Sequence, residues 1–333
     1  MISLDNKTIL VTGGSGSFGK NFIKFLLANF NCKKIIIFSR DELKQYHLEK
    51  ELADSRLRFF IGDVRDLPRL QRAFVGVDIV IHAAALKQVP ALEYNPLEAV
   101  KTNIIGTQNI IEAAIDQKVS KVLLISTDKA AHPANLYGST KLCAEKLIVA
   151  GNSYASSATL FSVVRYGNVI GSRGSIVEVL LKNKNADQVQ ITDYTMTRFW
   201  INYHEANKLV LFALEQMEGG EIFVPKIPSM KLIDLFDTLV PQARKEIIGL
   251  RLGEKVHEVM ITEQEGRHAI ELDNYFVILP EFHFWSEDRY QKFHTAGKKL
   301  SNDFSYFSHT NSLWLTKEQL LEMVAEDSDL QNL

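Results

Sequence analysis

Cysteine is nearly missing: Cys32 and Cys143 are the two in 333 residues, with neither metal-knuckle spacing nor the density of a disulfide framework. So few thiols fit a reducing compartment, and both are read as small buried residues. Charge of one sign is missing too. Thirty-eight basic side chains face 40 acidic ones, which leaves no footprint for nucleic acid or an anionic membrane; any anion must be gripped locally. No apolar run approaches the ~20 residues that span a bilayer. Met1 to Leu10 carries Asp5 and Lys7 and enters a strand at once, so the sequence predicts no signal peptide, no membrane anchor and a cytoplasmic protein. Repeats and low-complexity tracts are absent, and 46% hydrophobic residues over this length suit a globular chain of two domains.

What is present centres on Ser126 to Lys141, STDKAAHPANLYGSTK. Tyr137 and Lys141, four residues apart, share one face of a predicted helix over Leu136 to Ala150. A neighbouring ammonium stabilises a phenolate, so the pair suits proton removal from a hydroxyl, with the tyrosine pKa lowered. Thr127, Asp128 and Lys129 follow the apolar run Val122 to Ile125, which places an acid and a base at a strand's carboxyl end, where ligands collect in open α/β sheets. The plain alternative for Asp128 and Lys129 is a loop ion pair. As a base, Lys129 must be at least partly neutral, which positive charge from Lys141 or an oxidised nicotinamide favours.

Thr8 to Val11 is a strand, followed by a glycine turn and the helical spacing of Phe22, Ile23, Leu26 and Leu27. In this GxxGxxG turn Gly13 permits the tight bend, Gly16 lets the backbone approach a pyrophosphate, and Gly19 lets helix and strand pack closely. Lys34 to Phe38 forms the second strand and ends in Ser39, Arg40 and Asp41, with Lys44 one turn on. A small residue and a guanidinium there favour the 2′-phosphate of NADP over NAD, although Asp41 offers a carboxylate to a ribose. Further strands are expected over Arg58 to Ile61, Ile79 to Ile81, Val122 to Ile125 and Phe161 to Arg165. Asp63, after the third, can accept from an adenine amino group or cap a helix. Ala83 to Ala85 leave room for a flat cofactor face, beside Lys87. Ala91 to Lys118 reads as helix with a start or break at Pro96, and Asn103 inside it either bonds locally near the site or faces solvent.

Strands alternating with helices predict an α/β fold, a Rossmann-type doubly wound parallel sheet over 1–170 completed by segments near 200–225. A smaller α/β substrate domain, mainly 171–333, begins with the loop Tyr166 to Ser175, whose amide, guanidinium, hydroxyl and glycines suit a phosphorylated ligand. Beyond Asp273 no clear periodicity appears until Thr316 to Val324, which reads as a capped helix.

TGGSGSFG, YxxxK at Tyr137 to Lys141, and Asn103 resemble the extended short-chain dehydrogenase/reductase superfamily. SRDELKQ (39–45), FFIGDVRD (59–66), HAAALKQVP (82–90), NPLE (95–98), STDKA (126–130), RYGNVIGSRGS (165–175), MTRFWI (196–201), GGEIFVPKIPSMK (219–231) and GEK-HE (253–258) narrow the resemblance to the soluble, inverting UDP-N-acetylglucosamine 4,6-dehydratases. The resemblance implies UDP-N-acetylglucosamine as substrate, tightly held NADP, a 4-keto-6-deoxy product inverted at C5, a place at the start of pseudaminic acid synthesis for flagellin glycosylation, and a homo-oligomer such as a hexamer. It implies Tyr137 as base toward O4, Lys129 as base at C5, Asp128 as acid at O6, Thr127 as a hydroxyl near O4 and Lys141 as the tyrosine's partner. It places Ser15, Ser17, Phe18, Ser39, Arg40, Asp41, Glu42, Leu43, Lys44, Asp63, Val64, Ala83, Lys87 and Val169 on the cofactor with Gly13, Gly16 and Gly19. On the UDP-sugar it places Lys87, Asn168, Arg173, Gly174, Ser175, Ile176, Val177, Arg251 and Glu254, with Arg198. It implies no metal. Membrane-bound retaining relatives resemble this chain less, having Met where it has Tyr137. Gln88, His132 and Leu252 depart from the His, Asn and Pro of the family pattern, and proline at 252 would stiffen the loop that presents Arg251 and Glu254. The rival enzyme reading is a UDP-sugar 4-epimerase, which needs Tyr137 and Lys141 but no acid/base pair; the rival of another class is a silent NADP-sensing regulator.

Overall fold

Thr8–Thr12 (β1) is buried along its whole length, as a strand must be when helices cover both faces of a parallel sheet. The computed structural model describes residues 3–155, 158–281 and 287–331. β1 leads into α1 (Ser17–Asn29), β2 (Lys34–Ser39), α2 (Glu42–Leu52), β3 (Leu57–Ile61), α3 (Leu67–Ala73) and β4 (Ile79–His82). Val89–Tyr94 (α4) and Pro96–Ala99 (α5) are separated at Asn95, where Pro96 starts a new helix, and a π-helical turn, Val100–Ile105, runs into α6 (Gly106–Asp116). β5 (Lys121–Thr127), α7 (Leu136–Tyr154) and β6 (Leu160–Tyr166) complete the first half.

These six strands pair in parallel in the order β3, β2, β1, β4, β5, β6, so the switch point lies between β1 and β4. Ile222–Pro225 adds parallel to β6. Three antiparallel segments then extend the sheet to ten strands: Tyr275–Ile278, Ala269–Glu271 and Lys298–Lys299. Part of the aperiodic tail is therefore sheet; of its aromatics, Phe282, Phe284 and Trp285 lie outside the described residues. Thr197–Ile201 pairs instead with Asn168–Val169 and Ser229–Lys231 in a separate small sheet.

One core fills the space between the large sheet and its helices, and a second, around Val177, Trp200, Leu235 and Leu320, holds the small sheet against Ile176–Lys182, Leu232–Leu239 and the capped helix Lys317–Ala325. Close approach dictates two glycines of the β1–α1 turn. Gly13 has φ +66°, with Ala84 Cα 2.9 Å from where a Cβ would stand; at Gly19 a Cβ would meet the Gly14 Cα at 2.5 Å. Cys32 is buried, but Cys143 is exposed on α7, contrary to its reading as a buried residue. Among the described residues no helix is long and apolar enough to cross a membrane, and no group of three or more His, Cys, Asp or Glu could hold a metal.

Candidate active site

The strand ends decide where the chemistry gathers. The carboxyl ends of β1, β4, β5 and β6 open into a cleft of about 1090 Å3, and a smaller recess of about 530 Å3 adjoins it at the ends of β2 and β3. Register places Ser126 opposite Arg165 and Thr127 opposite Tyr166, so β5 delivers Thr127, Asp128 and Lys129 beside Asn168. Asn135 caps α7 by accepting from the Gly138 N–H at 2.9 Å, which sets Tyr137 and Lys141 in its first two turns, facing the cleft.

Lys129 and Asp128 form a direct pair: Lys129 Nζ donates to Asp128 Oδ1 at 3.0 Å and to Asn168 Oδ1 at 3.2 Å. Thr127 Oγ1 also donates to Asp128 Oδ1 at 3.0 Å. Asp128 is fully buried, and burial, with the charge of Glu258, pushes its carboxyl pKa up against the pull of Lys129. Burial would lower Lys129, but the two carboxylates Asp128 and Glu258 outweigh it and raise its pKa. The expectation that nearby positive charge makes Lys129 partly neutral is corrected: the acids Asp128 and Glu258 outweigh Arg198, and it rests as an ammonium in an ion pair.

Tyr137 also differs from expectation. Burial pushes its pKa up to about 12, against the charge of Lys129 and a hydrogen bond with the Thr127 side chain, which lower it. Lys141 is not the phenol's bonding partner here; its Nζ donates to the Ile125 carbonyl at 2.8 Å, and burial brings it down to about 8 despite Glu145. His82, held by Thr12 at 2.7 Å and Thr107 at 3.1 Å, is fixed neutral by burial, then by Lys141.

On the dinucleotide side, Gly13, Ser15, Gly16, Ser17, Phe18 and Gly19 line the cleft. Gly16 is the N-cap of α1 and gives no side chain to its first N–H groups, so the positive end of a 13-residue helix faces the opening. That bare end fits a pyrophosphate. Ser39, Arg40, Asp41, Lys44, Asp63, Val64 and Ala83 line the adjoining recess. Asp41 is already engaged, accepting from the Lys44 N–H at 2.9 Å as the cap of α2 and pairing with Lys44 Nζ at 3.0 Å. Asp63 holds Arg65 at 2.7 Å and lies 3.6 Å from Arg40, while Asp66, not Asp63, caps α3. Glu42 and Leu43 line neither opening; both are exposed on the first turn of α2.

On the other side, Lys87, Asn168, Val169, Arg173, Gly174, Ser175, Ile176, Arg198, Arg251 and Glu254 all line the cleft. Val177 does not: it points away into the second core. Burial lowers the Lys87 pKa. Arg198 is buried, donates to the Thr197 and Val256 carbonyls at 2.8 and 3.0 Å, and lies 3.7 Å from both Glu254 and Glu258. The Arg173 N–H donates to Ser17 Oγ at 3.0 Å, joining this loop to the glycine turn. Gln88 and the exposed Leu252 sit beside the opening and on its outer loop respectively. His132 has φ +50°, a left-handed conformation that asparagine adopts more readily, which is what its departure from the family pattern costs.

Asn103 takes the first of its two sequence readings, a local bonding role, while other groups here escape sequence reasoning. Asn103 is buried in the π-helical turn, accepting from the Leu86 N–H at 2.8 Å and donating to the Leu86 carbonyl at 2.9 Å and Thr140 at 3.0 Å, so it pins the strand end before Lys87 to α7. Gln190, Thr192, Trp200, Phe236 and Leu330 wall the far end of the cleft from four separate segments, with no shared motif to announce them. Behind Lys141, Glu145 takes a hydrogen bond from Ser126 and pairs with Arg165 at 2.5 Å, and Arg165 also holds Glu265 at 2.8 Å.

Comparison with known proteins adds to this geometry. A family described as polysaccharide biosynthesis protein matches residues 9–280. The inverting UDP-N-acetylglucosamine 4,6-dehydratase of Campylobacter jejuni subsp. jejuni serotype O:2 is 49% identical over 326 residues, covering 96% of this chain and 98% of that protein. The UDP-glucose 4-epimerase of Rickettsia rickettsii is 39% identical over 341 residues, 98% of this chain and 99% of that one. The crystal structure of Pen from Bacillus thuringiensis superposes with a TM-score of 0.88 at 37% identity, covering 99% of this chain and all of that one. The dTDP-glucose 4,6-dehydratase DesIV of Streptomyces venezuelae, solved with NAD bound, shares the fold at a TM-score of 0.67 and 23% identity over 75% of this chain and 86% of that one. The chain belongs to the polysaccharide biosynthesis protein family and, within it, to the inverting UDP-N-acetylglucosamine 4,6-dehydratases, on the short-chain dehydrogenase/reductase fold.

Proposed function

We propose that this protein converts UDP-N-acetylglucosamine to the 4-keto-6-deoxy sugar inverted at C5, with NADP bound along the glycine turn and the recess at Arg40. The observation that carries the reading is the Asp128–Lys129 pair at 3.0 Å beside Tyr137, because oxidation at C4 alone needs no second acid and base. The engagement of Asp41 with Lys44, leaving Ser39 and Arg40 at the recess, supports a 2′-phosphate over a bare ribose.

A dinucleotide held by Gly13, Gly16, Ser39 and Arg40 would supply a hydride acceptor for C4 and the hydride donor for C6. Tyr137, hydrogen-bonded to Thr127 and protonated at rest, first releases its own proton to solvent, and as the phenolate it takes the O4 proton while the ketone forms. That ketone acidifies the C5 proton, which Lys129 Nζ removes; the C6–O bond breaks as Asp128 supplies the proton that lets the hydroxyl leave as water. Lys129 and Asp128 share one proton in the resting pair. Its transfer from Nζ to Oδ1 creates the neutral base and the neutral acid together, and the buried, raised Asp128 carboxyl favours that direction. Reprotonation of C5 on the opposite face by a proton from solvent, as hydride returns to C6, gives the inverted product. Lys87, Arg173 and Arg251 supply positive charge for the diphosphate.

Incubation with UDP-N-acetylglucosamine in deuterated water tests this. The expected product is lighter by one water, apart from the label, and carries deuterium at C5 by mass spectrometry and NMR. UDP-N-acetylgalactosamine at unchanged skeleton mass would establish the epimerase reading, which the Rickettsia relative keeps in play.

A further inference from the structure

The GEK-HE stretch at 253–258 is conspicuous in the sequence, yet the proposed reaction uses no residue beyond Glu254 of it. In the structure it is bolted to the STDKA loop: Asn135 Nδ2 donates to the Gly253 carbonyl at 2.8 Å, and Lys255 Nζ to the Ala131 carbonyl at 2.9 Å. Glu258, 3% exposed, ends the stretch with one carboxylate oxygen 3.4 Å from Lys129 Nζ and 3.7 Å from Arg198 Nε, and the other 3.2 Å from Lys255 Nζ. Its backbone N–H donates to Ser308 Oγ at 2.9 Å, which fixes where the carboxylate stands.

We infer that Glu258 is a positioning residue that holds Lys129 as an ammonium and aims it into the cleft, so that the GEK-HE segment sets the charge of the C5 base. Three cations surround this one buried carboxylate, and of them Lys129 and Arg198 line the cleft while only Lys129 also pairs with Asp128. The other charged or titratable groups that face Lys129 are Asp128 on its own loop, Arg198, Lys87 and the Tyr137 phenol. Asp128 neutralises Lys129 but must give its charge up to act as acid; Glu258, held down to about 2 by Lys129, Arg198 and Lys255 in spite of burial, keeps its charge throughout. A fixed negative charge 3.4 Å away stabilises the ammonium that forms when Lys129 takes the C5 proton.

This inference rests on the proposed dehydration for the meaning of Lys129, but its first test does not. Competitive acetylation with acetic anhydride at pH 9 modifies neutral amines; the ratio of labelling at Lys129 to that at exposed Lys33 is read by peptide mass spectrometry. Glu258→Gln should raise that ratio at least fivefold, because the neutral fraction grows tenfold per pKa unit. Glu258→Asp, which keeps the charge, should return it to the wild-type value. An unchanged ratio in Glu258→Gln overturns the proposal, and so does an equal rise in both variants, which assigns the effect to lost packing. The second readout is the pH dependence of C5 deuterium incorporation: its acid limb should move down by about one unit in Glu258→Gln, with a plateau several-fold lower. A labelling shift without any dehydrated product from the wild type would sink the dehydratase reading and leave the counter-ion role standing.

Discussion

At the scale of single residues, environment sets Asp128, Lys129 and Tyr137 apart for the chemistry proposed for them. Full burial raises the Asp128 carboxyl against the pull of Lys129, two carboxylates keep Lys129 charged, and the phenol of Tyr137 is protonated at rest. Lys129→Ala should therefore abolish C5 deuterium uptake in the isolated product while leaving UDP affinity within about twofold, because the ammonium's partners are Asp128, Glu258 and Asn168, not the phosphate side of the cleft. Normal uptake in that variant, by NMR, would place the base elsewhere. These side chains were legible in the sequence as STDKA and YxxxK, since helical spacing and a strand end fix their directions. Their charge states were not, because Glu258 reaches Lys129 only through tertiary structure.

Among the elements, the break in the helix before α6 has a definite use. The π-helical turn Val100–Ile105 turns the Asn103 amide inward, where it closes three hydrogen bonds with Leu86 and Thr140. Asn103→Ala should destabilise the protein by about 1–3 kcal/mol in urea unfolding, the cost of leaving buried polar groups unpaired. It should also raise KM for the nucleotide sugar, since the same bonds place the backbone before Lys87. A loss under about 0.5 kcal/mol would mean water replaces the amide. β1 to β6 were readable because each is a short apolar run closed by glycine or a polar residue; the π turn was not, because its bonding skips one residue more than the periodicity that composition reveals. Ala269–Glu271 and Tyr275–Ile278 escaped for another reason. They are short, and only the pairing of Tyr275–Ile278 with Ile222–Pro225, and of Ala269–Glu271 with Tyr275–Ile278, makes them strands.

Across the molecule, the Glu145–Arg165–Glu265 cluster joins α7, β6 and the Glu263–Gly266 turn behind the STDKA loop. Arg165→Met would strand two carboxylates, one of them with 1% side-chain exposure, and should cost about 3–5 kcal/mol in a denaturant titration. Glu145→Gln with Arg165→Met should recover part of that loss; no recovery would show that the arginine acts through packing alone. The N-terminal half reads directly from sequence because its contacts are between neighbours in the chain. The cleft's far wall does not, since Trp200, Phe236 and Leu330 meet only after the second core has formed.

The bond between the GEK-HE segment and the STDKA loop also bears on the order in which the protein is made. A ribosome that has released residues up to about 250 has already delivered every strand from β1 to β6, the glycine turn and the Tyr137 helix. The nascent chain at that point still lacks Lys255, Glu258 and Glu265, which hold Ala131, Lys129 and Arg165. Lys129, the proposed base, is synthesised early with its partners Asp128 and Asn168, but gains Glu258 only when nearly the last quarter of the polypeptide arrives, so a prematurely terminated chain keeps the groove for a dinucleotide without the finished centre proposed for elimination.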